Sequence, residues 1–261
     1  MANQIDKFIL KLPPNRQLLC HLLMDKDWFK KSDFQVQKEV LSLPNEFEGF
    51  VYDLAQRQDR IGNVNIQKLV KINRGDYLIT PQFLVYSPKT KKTFTREYVS
   101  WSLGKNPGVK GILLVKTENR ISHFITVETE KFPIGKSTFD AIGGLSMYNP
   151  NQIIGLLSKQ IENTINKKMG LTSLKIDEIY DLGRLETDNG LTPNHPGIFA
   201  AVIDGNQAQK IAIPDQTTSK SGLFTINIIP IEQLEMYISK IDDAFFLSTI
   251  CRLLAKGVIT L

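Results

Sequence analysis

The chain has 261 residues, and its 32 basic and 27 acidic side chains give a formal net charge of +5. Hydrophobic residues make up 42% and charged residues 23%, a globular composition that excludes disorder and fibrous repeats. No apolar run approaches the roughly 18–20 residues of a membrane span, and the N-terminal run containing Asp6 and Lys7 is too short and too polar for a secretory signal. Cys20 and Cys251 have no metal or redox spacing, so a reduced cytoplasmic protein is expected.

Basic residues are spread along the chain, although the sequence pI is about 9.0. The longest basic clusters are Lys30-Lys31, Lys91-Lys92 and Lys167-Lys168, and acidic residues are interleaved with the basic ones throughout. The sequence contains neither a basic arm nor an aromatic-glycine motif on which bases stack. The pattern therefore indicates a solvated, mildly basic surface, and nucleic acid is not an expected partner.

The N-terminal segment has a helical pattern that then becomes mixed. Pro13-Pro14 opens a predicted helix over Asn15–Asp25. Four leucines form one apolar stripe along it: Leu18, Leu19, Leu22 and Leu23. The following segment, Asp27–Leu43, is mixed, and its Phe34, Val36 and Val40 indicate a strand.

From Gly75 the pattern becomes typical of β-structure. Strands are predicted over Tyr77–Tyr86 and Thr93–Trp101, joined by the polar turn that follows Ser87. The breaker cluster Asn106-Pro-Gly-Val comes next. It predicts a domain boundary, with an N-terminal extension over residues 1–106 and a second domain over residues 107–261.

The second domain begins with a predicted β-hairpin, Gly111–Lys116 and Ile121–Val127, and a short strand, Ser137–Ile142, that ends in Gly143-Gly144. A long helix is predicted from Asn149-Pro150 to Gly170, with an apolar residue at every third or fourth position. The remaining predicted elements are the strands Leu174–Leu185, Ile198–Ile203 and Phe224–Ile229 and the helices Glu232–Ile241 and Asp243–Lys256. Because the early strands connect by hairpins, the domain is expected to be mixed α/β and not doubly wound.

The run from His123 to Gly144 resembles the stretch that precedes the signature helix of Nudix hydrolases. The family signature is G-x5-E-x7-R-E-U-x-E-E-x-G-U, where U is apolar. Placing its closing glycine on Gly170 puts the paired glutamates on Lys167 and Lys168 and the upstream glutamate on Gly155. The resemblance implies a Nudix-like α/β/α sandwich over residues 107–261 with a degenerate signature.

Two further stretches extend the resemblance. Asp181-Leu-Gly-Arg-Leu and the loop up to Gly197 are similar to the region after the signature helix in ADP-ribose and sugar-nucleotide members, and Asp242-Asp-Ala-Phe-Phe-Leu is similar to their closing helix. A weaker resemblance, carried by Thr95–Trp101, the run from Asn106 and Ile121–Val127, is to sugar-nucleotide 2,3-dehydratases. Those enzymes have a Nudix-like fold in two repeats without the hydrolase glutamates, and one such unit fits here.

The departures from the signature change the expected chemistry. Nudix hydrolases use the glutamates to hold a divalent cation against a diphosphate, because hard cations need oxygen ligands. Lys167 and Lys168 carry ammonium groups that repel a cation, and Glu162 is the one carboxylate in the predicted helix. We therefore expect no metal and no cofactor at this position.

The lysine pair has two interpretations, which the sequence leaves open. Lys167 and Lys168 can form a solvated helix end that the helix dipole favours. Alternatively, their ammonium groups replace the metal and bind a diphosphate directly.

Three carboxylates in the strands are further candidates. Asp140 stands where the family keeps an acid before its glycines, and it can serve as a ligand-binding group or as a strand-end hydrogen-bond acceptor. Glu128 and Glu130 are two residues apart and share one face of a strand, so they are candidates for acid/base groups. The alternative for this pair is a solvent-exposed face.

The histidines and tryptophans are weaker candidates. His195 lies in the loop Thr192–Gly197, where related proteins reach their substrate, and the alternative is a surface role. His123 alternates with apolar strand residues, which indicates a structural role. Trp28 and Trp101 can stack a base, but a core or interface role is favoured.

These observations predict a protein that binds a nucleoside-diphosphate-linked ligand, of the ADP-ribose or nucleotide-sugar type, without metal-dependent hydrolysis. The expected ligand-binding residues are Lys167, Lys168, His195, Gly143 and Gly144. The extension over residues 1–106 is expected to form a homodimer or to shape the pocket, and no membrane partner is expected. The alternatives are a pyrophosphatase using Glu128, Glu130 and Asp140, a metal-free sugar-nucleotide dehydratase, and a structural module that binds a protein partner.

Overall fold

The computed structural model describes residues 2–101, 108–131, 135–144, 175–188, 190–193, 195–211 and 224–260. The chain divides into two units. Unit 1 comprises Met1–Pro107 and Glu186–Asn194, and unit 2 comprises Gly108–Leu185 and His195–Leu261. Unit 1 therefore includes a short segment that the sequence analysis assigned to the second domain.

Unit 1 begins with helices that pack on a sheet. The helices are α1 Ala2–Ile9, α2 Pro14–Met24, α3 Asp27–Lys30, α4 Phe34–Leu41 and α5 Glu48–Gln56, with a 3-10 turn at Asn45–Phe47. Their core contains the fully buried Trp28, Phe29 and Phe50, which join Leu69 and Ile79 of the sheet in one apolar cluster. Burial of this apolar surface stabilises helices that are too short to be stable alone.

Two helices test the sequence predictions. Helix α2 confirms the predicted helix, but only half of its leucine stripe is buried. Leu19 and Leu23 are 8% and 0% exposed, whereas Leu18 and Leu22 are 63% and 38% exposed. The strand predicted from Phe34, Val36 and Val40 is wrong, because this segment forms α4 and buries residues at helical spacing, namely Gln37, Val40 and Leu41.

The sheet of unit 1 has five strands among the described residues. They are β1 Arg60–Ile61, β2 Val64–Arg74, β3 Leu78–Ser87, β4 Lys92–Glu97 and β5 Ser100–Trp101. The order is β1-β2-β3-β4, and β5 pairs with β3; all pairings are antiparallel. The predicted strands after Gly75 are thus confirmed, while β2 was not anticipated.

The sheet of unit 2 has seven described strands. They are β6 Val109–Thr117, β7 Arg120–Lys131, β8 Lys136–Asp140, β9 Ile142–Gly144, β10 Glu178–Arg184, β11 Gly197–Asp204 and β12 Phe224–Pro230. The order is β10-β11-β6-β7-β12, with β8 on β7 and β9 on β6. Strand β11 runs parallel to β6 and the other pairings are antiparallel. This arrangement confirms the mixed sheet and the predicted hairpin.

Helices lie on both faces of this sheet. They are α6 Gly205–Ile211, α7 Leu234–Ile238 after a 3-10 turn at Ile231–Gln233, and α8 Ala244–Ala255. Alternate residues of β6 enter two different cores: Leu113 packs with Ala208 of α6, and Leu114 packs with Phe246 of α8. The layered α/β architecture expected from the sequence is therefore present in unit 2.

The described helices and strands leave three predictions from the sequence untested. The long helix predicted from Asn149 to Gly170 lies outside the described residues. The cytoplasmic location and the role of residues 1–106 in dimerisation or pocket shaping stay predictions. Within the described part of the chain, no helix has the length and apolar character needed to cross a membrane.

Candidate functional site

The start of β6 is where several of the predicted site residues meet. Gly144 and Gly143 of β9 pair with Val109 and Lys110 on one side of β6. Gly197 of β11 pairs with Val109 on the other side, and His195 lies two residues before it. Since neighbouring strands are about 4.8 Å apart, Gly144 and Gly197 are roughly 10 Å apart across the sheet, and His195 precedes Gly197 by two residues. Three of the five predicted ligand-binding residues are thus at one end of the sheet.

Gly143 has a structural requirement of its own. A Cβ atom at this position would lie 2.2 Å from the carbonyl oxygen of Val109 and 2.7 Å from Cα of Lys110. Both atoms belong to the backbone of the neighbouring strand, so they cannot move aside without breaking the pairing. Gly143 therefore lets β9 pack closely on β6, whatever its role toward a ligand.

Asp140, at the end of β8, is the most enclosed of the candidate carboxylates. Its side chain is 7% exposed, and Lys110 places its Nζ atom 2.8 Å from Oδ1. Lys131 contributes a second ion pair through Oδ2. A carboxylate held by two ammonium groups is ionised, so Asp140 forms the anionic centre of a cluster beside Gly143.

Asp243, the residue before α8, completes the cluster. Its Oδ1 accepts a hydrogen bond from the backbone N–H of Phe245 at 2.9 Å, and thereby caps the helix. Its Oδ2 accepts a hydrogen bond from the N–H of Ala141 at 2.7 Å and lies 4.0 Å from Nζ of Lys110. The side chain thus joins the start of α8 to the residue between β8 and β9.

The two aspartates have opposite proton affinities. Burial raises the pKa of Asp243 to about 6, and the hydrogen bond and the charge of Asp140 add to this shift. Burial by itself would raise the pKa of Asp140 too, but the hydrogen bond with Asp243 and the ammonium groups of Lys110 and Lys131 outweigh it and hold that pKa below its usual range. Asp243 is consequently the group of this pair that titrates near neutral pH.

This pair predicts a pH dependence of stability. The folded state holds the Asp243 proton more tightly than the unfolded chain, so the stabilisation is complete below about pH 4 and is lost as the pH rises through about 6. We expect the free energy of unfolding, measured with urea, to fall by roughly 1 kcal/mol more between about pH 5 and pH 7.5 in the wild type than in Asp243→Asn. Asparagine remains a good helix cap but does not titrate, and equal pH profiles for both proteins would contradict the assignment.

The donor set of the cluster does not fit a divalent cation. Mg²⁺ needs several free oxygen ligands, whereas ammonium groups occupy both oxygens of Asp140 and backbone N–H groups occupy both oxygens of Asp243. Among the residues that the structure describes, no group of three or more His, Cys, Asp or Glu side chains could hold a metal ion.

Glu128 and Glu130 alternate along β7 with Val127 and Lys131, which face Asp140, so they lie on the opposite face of the sheet. They pair with Phe139 and Ser137 on one side of β7, and Glu128 pairs with Thr225 on the other side. Glu128 is half-buried and Glu130 is exposed. Their position on one face of a strand agrees with the sequence prediction, and their acid/base role stays untested.

Sequence reasoning missed two buried polar residues on the neighbouring pair of strands. Thr126 and Asn227 stand opposite each other on β7 and β12. The hydroxyl oxygen of Thr126 and the amide nitrogen of Asn227 are buried without a hydrogen-bond partner in the described structure. A single polar residue inside each apolar run was the available signal, and such groups call for water or a ligand.

The remaining candidates are the tryptophans, His123 and the lysine pair, and only some of them have described side chains. Trp28 is fully buried in unit 1, so its core role is confirmed, whereas the side chain of Trp101 lies outside the described residues. His123 is half-buried on β7 with Nδ1 3.0 Å from the Ser122 hydroxyl. Lys167 and Lys168 also lie outside the described residues.

Comparisons with known proteins bear on the fold. No protein-family model matches the chain, and no curated protein matches its sequence. Among solved structures, the chain is similar to an ADP compounds hydrolase, a Nudix enzyme, with a TM-score of 0.54 and 9% sequence identity. The match covers 77% of this chain and 100% of that chain. The chain therefore has a Nudix-like fold, and at this identity the likeness concerns the fold alone.

Proposed function

We propose that the protein binds a nucleoside-diphosphate-linked ligand, of the ADP-ribose or nucleotide-sugar type, without metal-dependent hydrolysis. The observation that carries the proposal is the similarity of fold over the full length of an ADP compounds hydrolase. It is combined with a sequence that has Lys167 and Lys168 where the Nudix signature has paired glutamates. In this proposal the shared fold provides the binding site for such a ligand. Lysines in place of the metal-binding glutamates make that site bind the ligand without hydrolysing it.

The charge of the lysine pair supports binding without a metal. A diphosphate carries negative charge that a divalent cation offsets in a metal-dependent hydrolase. Lysine ammonium groups offset the same charge directly, and each charge-assisted hydrogen bond contributes about 1.5–3 kcal/mol. They do not lower the pKa of a bound water as a metal ion does, so the attacking hydroxide is not generated.

The start of β6 supplies further groups for the same ligand in this proposal. Gly143, Gly144 and His195 lie at the same end of the sheet, and in this proposal their backbone and imidazole groups contact the ligand. The ion pairs of Asp140 keep a buried carboxylate neutralised there, which reduces repulsion of an incoming diphosphate.

A thermal-shift experiment with ADP-ribose tests binding and metal dependence together. At about 100 times its Kd, the ligand should stabilise the folded state by about 2.7 kcal/mol and raise Tm by several degrees. We expect the same shift with EDTA and with Mg²⁺, and no release of AMP in either condition. Magnesium-dependent AMP release would instead favour the pyrophosphatase, and the absence of a shift with ADP-ribose and UDP-glucose would favour the structural module.

The lysine pair is tested by the double variant Lys167→Ala, Lys168→Ala. Loss of two charge-assisted contacts is expected to weaken ADP-ribose binding at least about 10-fold in calorimetry. The matched control is Lys91→Ala, Lys92→Ala, which removes the same charge from the exposed end of the β3–β4 hairpin and should leave the affinity unchanged. Equal affinities for both double variants would remove the lysines from the proposed site.

A further inference from the structure

A small cavity lies among the N-terminal helices of unit 1, at a distance in sequence from every residue of the proposed ligand site. Its volume is about 250 Å³. Ile5 and Leu41 line it as buried residues, 4% and 1% exposed, and the half-buried rings of Phe8 and Phe34 line it further. The lining is therefore apolar where it is deepest.

Three lysines complete the lining of this cavity. Lys7, Lys11 and Lys38 are all exposed. None of them forms an ion pair with a described carboxylate, although Asp6 and Glu39 are their neighbours in sequence. Three cations around an apolar depression form a surface that is complementary to an anionic and partly apolar occupant.

The volume indicates what kind of occupant fits. Small-molecule and cofactor sites usually measure about 300–1,000 Å³, and this cavity is smaller. It is suited to one large side chain, such as the leucine or phenylalanine that anchors a protein–protein contact. An occupant with an apolar anchor and flanking carboxylates would match both the depth and the charged rim.

A bilayer surface fits this geometry less well. A helix that lies on a membrane exposes its apolar face to the lipid, but Ile5 and Ile9 of α1 are 4% and 0% exposed because they pack inside unit 1. Ile5 and Leu41 of the lining are almost fully buried, so a flat surface does not contact them.

We propose that this cavity is a docking site for an acidic segment of a partner protein. The segment inserts one leucine or phenylalanine side chain between Phe8 and Phe34, and its Asp or Glu residues pair with Lys7, Lys11 and Lys38. The proposal does not depend on the nucleotide site, since all of its residues belong to unit 1.

The experiment is a selection of peptides from a random dodecapeptide library displayed on phage, with the full chain as bait. Selected peptides are expected to combine Asp or Glu with Leu or Phe. The charge-reversal variant Lys7→Glu, Lys11→Glu, Lys38→Glu should bind them at least 10-fold more weakly, and high salt should weaken wild-type binding. Replacing the apolar anchor of a selected peptide with alanine should also reduce binding at least 10-fold.

The matched control is Lys89→Glu, Lys91→Glu, Lys92→Glu, which makes the same change of charge on an exposed turn of unit 1 and should bind like the wild type. Circular dichroism and tryptophan fluorescence verify the fold, and Lys7→Gln, Lys11→Gln, Lys38→Gln serves if the charge-reversal variant does not fold. The proposal is overturned if no peptide is selected, if the selected peptides lack acidic residues, or if both charge-reversal variants bind equally. Lysine-dependent binding to phosphatidylserine vesicles without peptide binding would also overturn it, in favour of a membrane.

Discussion

Replacing Asp243 with alanine is expected to lower the free energy of unfolding, measured at about pH 5, by about 3 kcal/mol. Loss of the helix cap on Phe245 costs roughly 1 kcal/mol, and the unpartnered N–H of Ala141 costs a further 1–3 kcal/mol if it remains buried. The variant also removes the Asp243 carboxylate that joins α8 to Lys110 and to the residue after Asp140.

The adjacent aspartate provides the control. Asp242 is 75% exposed and pairs with an exposed Lys136 at 3.1 Å, so Asp242→Ala should change the stability by less than about 1 kcal/mol. Far-UV circular dichroism during urea unfolding measures both variants. Fluorescence follows unit 1, because both tryptophans, Trp28 and Trp101, belong to that unit. Equal losses in the two variants would show that the buried cluster does not stabilise unit 2.

The second large effect is expected for Gly143→Ala, which should destabilise the protein by about 3 kcal/mol or more. The new methyl group would lie 2.2 Å from the carbonyl oxygen of Val109, and overpacking against backbone typically costs 1–3 kcal/mol, occasionally more. The expected structural result is separation of β9 from β6, with loss of the pairing at Lys110 and Val109.

Gly135→Ala is the matched control for this substitution. Gly135 has a φ of +66°, and a Cβ atom there meets nothing within 4 Å. Its replacement should therefore cost only the left-handed backbone strain of about 1 kcal/mol. Urea unfolding compares the two, and hydrogen exchange at the amides of Val109–Gly111 reports the strand pairing. A Gly143→Ala protein as stable as Gly135→Ala would refute the close strand approach.

Strands were predictable where a short apolar run was bounded by turn residues. The hairpin of β6 and β7 follows directly from its apolar runs and polar turn, and the mixed sheet follows from that hairpin. Strand β2 was missed for a physical reason. Its buried residues Ile66, Leu69 and Ile72 recur every three residues, because irregularities in the β2–β3 register keep them on one face.

The helix α4 shows the opposite ambiguity. Phe34, Val36 and Val40 have even spacing and suggested a strand, although the segment buries Gln37, Val40 and Leu41 at helical spacing. The apolar run is too short for periodicity to decide between the two structures. Packing against α3 and β2 decides in favour of the helix, because the core residues of this segment are defined only by its contacts within the folded unit.

At the candidate site, the chemical types of the residues were evident, but their partners were not. Asp140 and the glycine pair could be picked out by their place before the predicted helix. The contact of Asp140 with Lys110, 30 residues earlier, could not be predicted from the sequence. Nor could the cluster that it forms with Asp243, more than 100 residues later. Two consecutive aspartates also look alike in sequence, and yet Asp243 is buried against Ala141 while Asp242 is in solvent.

The sequence alone determined the element types with clear patterns and the hairpin-based mixed sheet, because these depend on local patterns and on residue identity. The placement of Lys167 and Lys168 at the signature glutamates is also read from the sequence, and it stays a prediction. Only the tertiary structure decided which leucines of α2 are buried, which aspartate caps α8 and which lysines neutralise Asp140. These outcomes depend on the contacts between distant segments. Burial and charge pairing are properties of the folded neighbourhood of a residue, and no local pattern contains them.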